Sequence, residues 1–238
     1  MKSLRAASLF FLLCSGGATG ASLQVSPVHL EVTAPGATAT VTLRNNSARA
    51  VATQSRVFRW LQVGDEERLE PTEDVVVSPP AAELSPDQNY IVRVVRVAGK
   101  PIEGEEAYRL LIDELPEEPR RTHTVNFVLR QSIPLLFVAQ DASPPDVTWK
   151  VAQNGRAVSL TAANSGDRRF RVATMTIRDS SGKTISSNQG LVGYVLGHSS
   201  MTWKFPTRAA LRAGAKVTVE GRSDEGLFSA PIAVQAAH

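Results

Sequence analysis

The chain has 238 residues with 26 basic and 23 acidic side chains, a formal net charge of +3, and a single cysteine. That length holds one large or two ordinary domains, either able to bury a proper core. The near balance of charge gives nucleic-acid binding no support, and one cysteine excludes a disulfide within the chain.

Residues 1–20 open with Lys2 and Arg5, pass through the apolar run AASLFFLLC and end in small residues, SGGATG. This is the pattern of a cleaved secretory signal, too short to span a bilayer. Cleavage after Gly20 is preferred to cleavage after Ala21. Cys14 leaves with the peptide, and Leu13 before it is too large for a lipid-attachment signal. Without Lys2 and Arg5 the mature chain keeps 24 basic and 23 acidic side chains. It is expected to be soluble, because no later stretch approaches the ~18 apolar residues of a membrane helix. Residues 21–141 carry 12 basic and 17 acidic side chains and residues 142–238 carry 12 and 6. Opposite signs in the two halves suit two units that attract each other.

In chain order, SLQVSPVHLEV and ATATVTLRN alternate apolar and polar residues around the turn Ala34–Gly36 and are expected to be strands. ARAVATQSRVFRWLQ continues the pattern, and VGDEERLEPTED reads as a solvated acidic hairpin loop. A double proline, Pro79 and Pro80, separates a short apolar run from an alternating strand over residues 90–97. AYRLLIDELP is a further strand ending at Pro116. After the charged loop PEEPRR comes TVNFVL, in which Val125, Phe127 and Leu129 share one face of a strand that runs on through RQSIPLLFV. Pro134 removes a ladder donor, so the strand is expected to end, bulge or lie at an edge there. Ala139–Pro145 reads as an interdomain linker.

The second half repeats the style, with short alternating runs divided by NSGD, SSGK and RAG turns, and no window has helical spacing. Roughly seven strands per half, ~8–12 residues apart, predict an all-β chain of two immunoglobulin-like sandwiches, residues 21–140 and 144–238. Trp149 and Trp203 are expected in the second core.

Motifs of chemistry are few. His29, His123, His198 and His238 have no metal-ligand spacing, and neither GxSxG nor a phosphate-binding loop occurs. Asp113 and Glu114 are adjacent in a strand and face opposite ways, which disfavours a paired-carboxylate site. An enzyme is not expected, and no cofactor is implied. Asn45, Asn46 and Ser47 spell a glycosylation sequon. Arg168, Arg169 and Arg171 beside Asp167 read as a solvated turn, with a docking patch as the alternative.

The ordered set VSPVHLEV, RNNS, SPPAAELSPDQNYIVRV, AYRLLIDELP, VNFVLRQSIPLLFV and GLVGYVLGHSSMTW, behind a signal peptide, resembles the periplasmic chaperones of the chaperone-usher pathway and looks closest to the archaic branch. The resemblance covers essentially the whole mature chain. It implies two sandwiches set at an angle, like a boomerang. It also implies that the last strand of the first domain is lent to an incomplete fimbrial subunit, with Val125, Phe127 and Leu129 filling the subunit's groove. Each such side chain contributes roughly 1.5–3 kcal/mol on burial, before ordering costs. The implied partners are fimbrial subunits, an outer-membrane usher and, through the exposed strand, a second copy of the chain. The implied compartment is the periplasm.

The classical branch holds the subunit's terminal carboxylate with an Arg on the first strand and a Lys on the last. Here those positions carry His29 and Pro134. The remaining candidate cations are Arg130, which is preferred, Arg109 and Arg93, with His29 contributing when protonated. An internal reading pairs Arg93 and Arg109 with Asp113, Glu105 or Glu106 instead. The alternative function is a structural or adhesive module of a surface fibre.

Overall fold

The computed structural model describes residues 23–116, 128–207 and 209–236. The first part of the chain contributes β1 (Leu23–Ser26), β2 (Leu30–Thr33), β3 (Thr38–Asn45), β4 (Val51–Val63), β5 (Glu66–Pro71), β6 (Val75–Ser78), β7 (Ala81–Leu84), β8 (Asn89–Arg96), β9 (Glu105–Glu114) and β10 (Arg130–Val138). The second contributes β11 (Val147–Asn154), β12 (Ala157–Asn164), β13 (Phe170–Val172), β14 (Thr174–Asp179), β15 (Thr184–Asn188), β16 (Gly193–Val195), β17 (Ser200–Pro206), β18 (Lys216–Ser223) and β19 (Gly226–Gln235). The all-β class is as expected. More strands occur than the predicted seven per half, in part because Pro27 splits one alternating run into β1 and β2 and because a further strand, β7, follows the Pro79–Pro80 break and pairs with β4.

In the first sandwich one sheet runs β1-β3-β8-β6 and the other β2-β10-β9-β4-β5, with β7 on β4. Alternation places Val41, Leu43, Val92 and Val94 of one sheet against Tyr108, Leu110, Ile133, Leu135 and Phe137 of the other in a single apolar core. The acidic run expected to be a loop is in part a strand. β5 pairs with Phe58–Val63 of β4, and all its side chains are exposed. Its charges therefore reflect a solvated edge, where charge guards against unwanted pairing.

The second sandwich is built on the sheet β15-β14-β18-β19-β11-β12-β17 with β13-β16 as a separate pair. Its core gathers Val151, Leu160, Val172, Ile177, Val195 and Val219. Trp149 and Trp203 pack on that core half-buried, Trp149 stacking on Phe228 at 5.3 Å between centroids.

Asn45 ends β3 fully buried, its amide donating to the carbonyls of Arg49 and Leu84. The sequon's acceptor nitrogen is thus committed inside the fold. Asn164, at the end of β12, does the same in the second sandwich, bonding the Arg168 and Val195 carbonyls.

A third cluster joins the halves: Trp60, Ala107, Leu136 and Val138 from the first, Tyr194 and Leu196 from the second. Trp60 meets Tyr194 edge-on at 5.2 Å, and the Gln62 amide bonds the Tyr194 carbonyl at 2.8 Å and accepts from the Leu196 N–H at 2.9 Å. Arg169 is the polar centre of this junction, with a side chain only 5 % exposed. It donates to Glu31 at 2.6 Å and to Glu105 at 2.7 Å, both in the first sandwich. The expected solvated turn is therefore an interdomain clamp, with the charge of Arg169 neutralised by carboxylates across the junction.

Asp167 completes the junction, accepting from the N–H and hydroxyl of Ser143 at 2.8 and 2.7 Å, and from His198 at 2.8 Å. Gly104, at φ +61°, leaves room for it, since a Cβ there would meet the Asp167 side chain at 3.1 Å.

Candidate functional site

The edge of β10 is the feature from which a site can be built. β10 pairs with β9 along its whole length, Arg130 opposite Asp113 through Val138 opposite Glu105. On its other side β2 covers only Leu135–Val138. Residues 130–134 therefore have no strand beside them on that side among the described residues.

Ladder parity shows which groups face this gap. The Glu114 N–H donates to the Leu129 carbonyl at 2.9 Å and the Ala139 N–H to the Gly104 carbonyl at 2.8 Å, so odd-numbered residues aim their backbone groups at β9. The Ala34 N–H bonds the Val138 carbonyl at 2.9 Å, so even-numbered residues aim theirs the other way. The backbone groups of Arg130 and Ser132 thus point into the open side. Pro134 is even-numbered, and its missing N–H removes no bond to β9. β10 passes through it without a break, with the proline nitrogen on the open side, as the edge option required.

Side-chain parity follows the same count. Ile133, Leu135 and Phe137 face the core, and Leu129 shares that face. Leu129 is 39 % exposed, and Val128 and Leu115 near it are 53 % and 40 % exposed. The Gln131 amide reaches across to the Leu23 carbonyl of β1 at 3.0 Å. Val125 and Phe127, the other two members of the expected triplet, lie outside the described residues.

The candidate cations are dispersed. Arg130 stands at the start of the open edge, 61 % exposed, its Nε bonded to Asp113. Arg109 lies over the Trp60 ring at 3.7 Å and near Tyr194 at 5.5 Å, with Glu67 at 3.8 Å. Arg93 is exposed on β8, on the outer face of the other sheet. His29 precedes β2 at the closed end of the edge, 3.1 Å from Arg169. Burial and the Arg169 charge hold its imidazole below the usual range, against the pull of Glu31 and Asp224.

The internal pairing expected of Arg93 and Arg109 is not what forms. Asp113 takes Arg130 and Arg56, Glu105 takes Arg169, and Glu106 takes Arg96 at 2.8 Å. Arg56 and Arg96 are the residues that sequence reasoning missed. Arg56 is two rungs from Asp113 on a neighbouring strand, a relation that only the β4–β9 register reveals.

Among the described residues no group of three or more His, Cys, Asp or Glu side chains could hold a metal. Ser143, Asp167 and His198 resemble a hydrolytic trio by composition only. The serine donates to Asp167 rather than to His198, so the imidazole does not touch the hydroxyl.

A family model described as pili and flagellar-assembly chaperone, PapD N-terminal domain, matches residues 22–141. No curated protein matches. Among solved structures, the chaperone–tip adhesion subunit complex CsuC–CsuE from the archaic Csu pili of Acinetobacter baumannii is similar at 23 % identity and a TM-score of 0.68, covering 92 % of this chain and 100 % of that one. The Salmonella enterica SafA pilin complex with the SafB chaperone gives 20 %, 0.62, 94 % and 98 % for the same measures. The E. coli chaperone DraB gives 21 %, 0.60, 88 % and 97 %. An open sheet edge on a double β-sandwich and a family match spanning the first sandwich agree, and the chain belongs to the PapD-type family of pilus-assembly chaperones.

Proposed function

We propose that this chaperone works in the periplasm without cofactor or catalysis, holding incomplete immunoglobulin-like fimbrial subunits by strand addition and delivering them to an outer-membrane usher. The observation that carries the reading is the open side of β10 at residues 130–134, where no strand among the described residues pairs with the backbone of Arg130 and Ser132 and Leu129 extends the core face. A subunit strand laid on that edge gains main-chain hydrogen bonds, and the alternating apolar side chains give it a register. The solved relatives CsuC–CsuE and SafB–SafA are chaperones bound to a tip adhesion subunit and to a pilin, which supports the same class of partner here. A fibre module is disfavoured, because the family consists of assembly chaperones.

The domain boundaries 21–140 and 144–238 belong to this proposal. They are supported by the absence, among the described residues, of any strand pairing between β1–β10 and β11–β19. The leader 1–20 and its removal are supported by the amino-terminal pattern alone.

For the carboxylate anchor we retain Arg130. Its Nε is bonded to Asp113, and its terminal nitrogens have no hydrogen-bond partner among the described residues. At the other end of the edge, Arg168 and Arg169 are engaged by Glu31 and Glu105. The test is co-expression with a subunit truncated of its own last strand. The wild-type chaperone should co-purify with it, Phe127→Asp should not while remaining folded, and Arg130→Ala should retain less subunit than Arg93→Ala. Capture that survives Phe127→Asp overturns strand donation.

A further inference from the structure

A second open edge lies in the second sandwich. β17 ends the large sheet there and is laddered to β12 on one side only. The Thr207 N–H donates to the Arg156 carbonyl and the Asn164 N–H to the Ser199 carbonyl, both at 2.9 Å, so odd-numbered residues aim their backbone groups at β12. Those of Thr202 and Lys204 point the other way, where no strand among the described residues pairs with them. Pro206 shares their parity, so its missing N–H removes no rung to β12. Its carbonyl takes the Ser186 hydroxyl of β15 at 3.2 Å, which closes the edge beyond Lys204.

A cleft of about 720 Å³ follows this edge. β17 lines it with residues of both faces: Trp203 and Phe205, which pack on the core, and Thr202 and Lys204 from the other face. The cleft therefore runs along the strand rather than over one side of the sheet. The first sandwich adds Asp65 and Glu66 from the β4–β5 turn. Gln62, just before that turn, fixes it against the second sandwich through its bonds to the Tyr194 carbonyl and the Leu196 N–H. Trp203 is set by a close fit, since a Cβ on Gly193 would lie 2.8 Å from its Nε1.

Asp65, Glu66 and Lys204 are exposed, and none has an ion-pair partner among the described residues. Two carboxylates against one ammonium leave the cleft net acidic. A lysine on an edge discourages indiscriminate pairing, so an entering strand must answer the acids as well as the backbone. We propose that the open edge of β17 is a docking site for an extended basic segment of a partner protein, taken by strand addition. Thr202 and Lys204 bond its main chain, Trp203 and Phe205 meet its apolar side chains, and Asp65 and Glu66 pair with its Lys or Arg. β5 stands at the edge of its sheet opposite β2 and β10, so an occupant here leaves the β10 edge free.

The experiment uses the full mature chain and two peptides, acetyl-Thr-Val-Lys-Val-Lys-Val-amide and its counterpart with Glu in place of both Lys. Calorimetry gives the affinities, and backbone amide exchange shows which edge is filled. The wild type should bind the Lys peptide at least about fivefold more tightly than the Glu peptide at low salt. Binding should slow exchange of the Thr202 and Lys204 amides. The double variant Asp65→Asn with Glu66→Gln, on an exposed turn, should bring the two affinities within about twofold of each other.

Thr202→Pro removes an outward N–H at the parity where Pro206 is already accommodated, and it should weaken both peptides. Should that variant not fold, the turn variant carries the test. Equal affinities in the wild type, no binding of either peptide, or an unchanged preference in the turn variant overturns the proposal. So does protection confined to Arg130 and Ser132, which would place the peptide on β10. Slow exchange of Thr202 and Lys204 in the free chain means that the edge is already covered. The same slowing, seen only as chain concentration rises, means that a second copy fills it, and either result overturns the proposal.

Discussion

The Glu114 N–H donates to the Leu129 carbonyl at 2.9 Å, a rung that lies just beyond the start of β10. Leu129 is therefore held by its backbone to β9 while its side chain stays 39 % exposed on the face that continues the core. Leu129→Asp should lower the melting temperature of the free chaperone less than a core substitution would, since the side chain is 39 % exposed. It should lower subunit capture at least tenfold, the loss of one buried large apolar contact of roughly 1.5–3 kcal/mol. A pull-down beside a thermal melt separates the two effects.

Trp60 is 1 % exposed, carries Arg109 on its face and meets Tyr194 across the domain junction. Trp60→Ala should cost about 3–5 kcal/mol by denaturant unfolding, as large cavities do. Tyr194→Ala should be smaller in effect on the first sandwich and should loosen the junction, detected as faster proteolysis at Ala139–Pro145.

Arg169 and Arg168 are sequence neighbours with different roles. Arg169 is buried between Glu31 and Glu105, whereas Arg168 meets Glu31 with a side chain 38 % exposed. Arg169→Ala leaves the buried Glu105 carboxylate unpaired and should cost about 3–5 kcal/mol. Arg168→Ala should cost no more than about 1 kcal/mol. Denaturation midpoints of the two variants test the difference, and equal midpoints would remove Arg169 from the role of clamp.

Acid should loosen the same junction in two steps. Burial, with the nearby Arg169 charge, depresses the His29 pKa below 6.5, so the unfolded chain takes up that proton first and stability falls as pH drops below 6.5. Burial works against the Glu31 carboxylate, but its bond from Arg169 and the charges of Arg169 and Arg168 hold its pKa below 4.5. Its contribution is complete above 4.5 and is lost as pH falls further, through the folded-state value. Melting temperature against pH should show both slopes. His29→Gln should remove the upper one and Glu31→Gln the lower one.

The strand over RQSIPLLFV was legible as the continuation of the run that begins before it, a signal one chain segment contains by itself, while Val125 and Phe127 lie outside the described residues. Period two also put Asp113 and Glu114 on opposite faces correctly. What the chain alone does not encode locally is cross-strand register. Arg56 reaches Asp113 because Gln54 stands opposite Asp113 and Arg56 two residues on, and Glu105 finds Arg169 from 64 residues away. The acidic β5 misled for a related reason. An exposed edge strand with six solvated side chains has the composition of a loop, and only its ladder to β4 makes it a strand. Pro134 was legible as a constraint on the edge, but that its nitrogen faces away from β9 depends on the parity of the ladder.

The central claim is that the open side of β10 receives a strand, and backbone amide exchange at Arg130 and Ser132 reads it most directly. In the free chaperone both amides should exchange quickly, while those of Gln131 and Ile133, aimed at β9, are protected. In a complex with a subunit truncated of its last strand, Arg130 and Ser132 should slow toward the rate of Gln131. Capture of that subunit with Arg130 and Ser132 still exchanging as in the free protein would contradict the account.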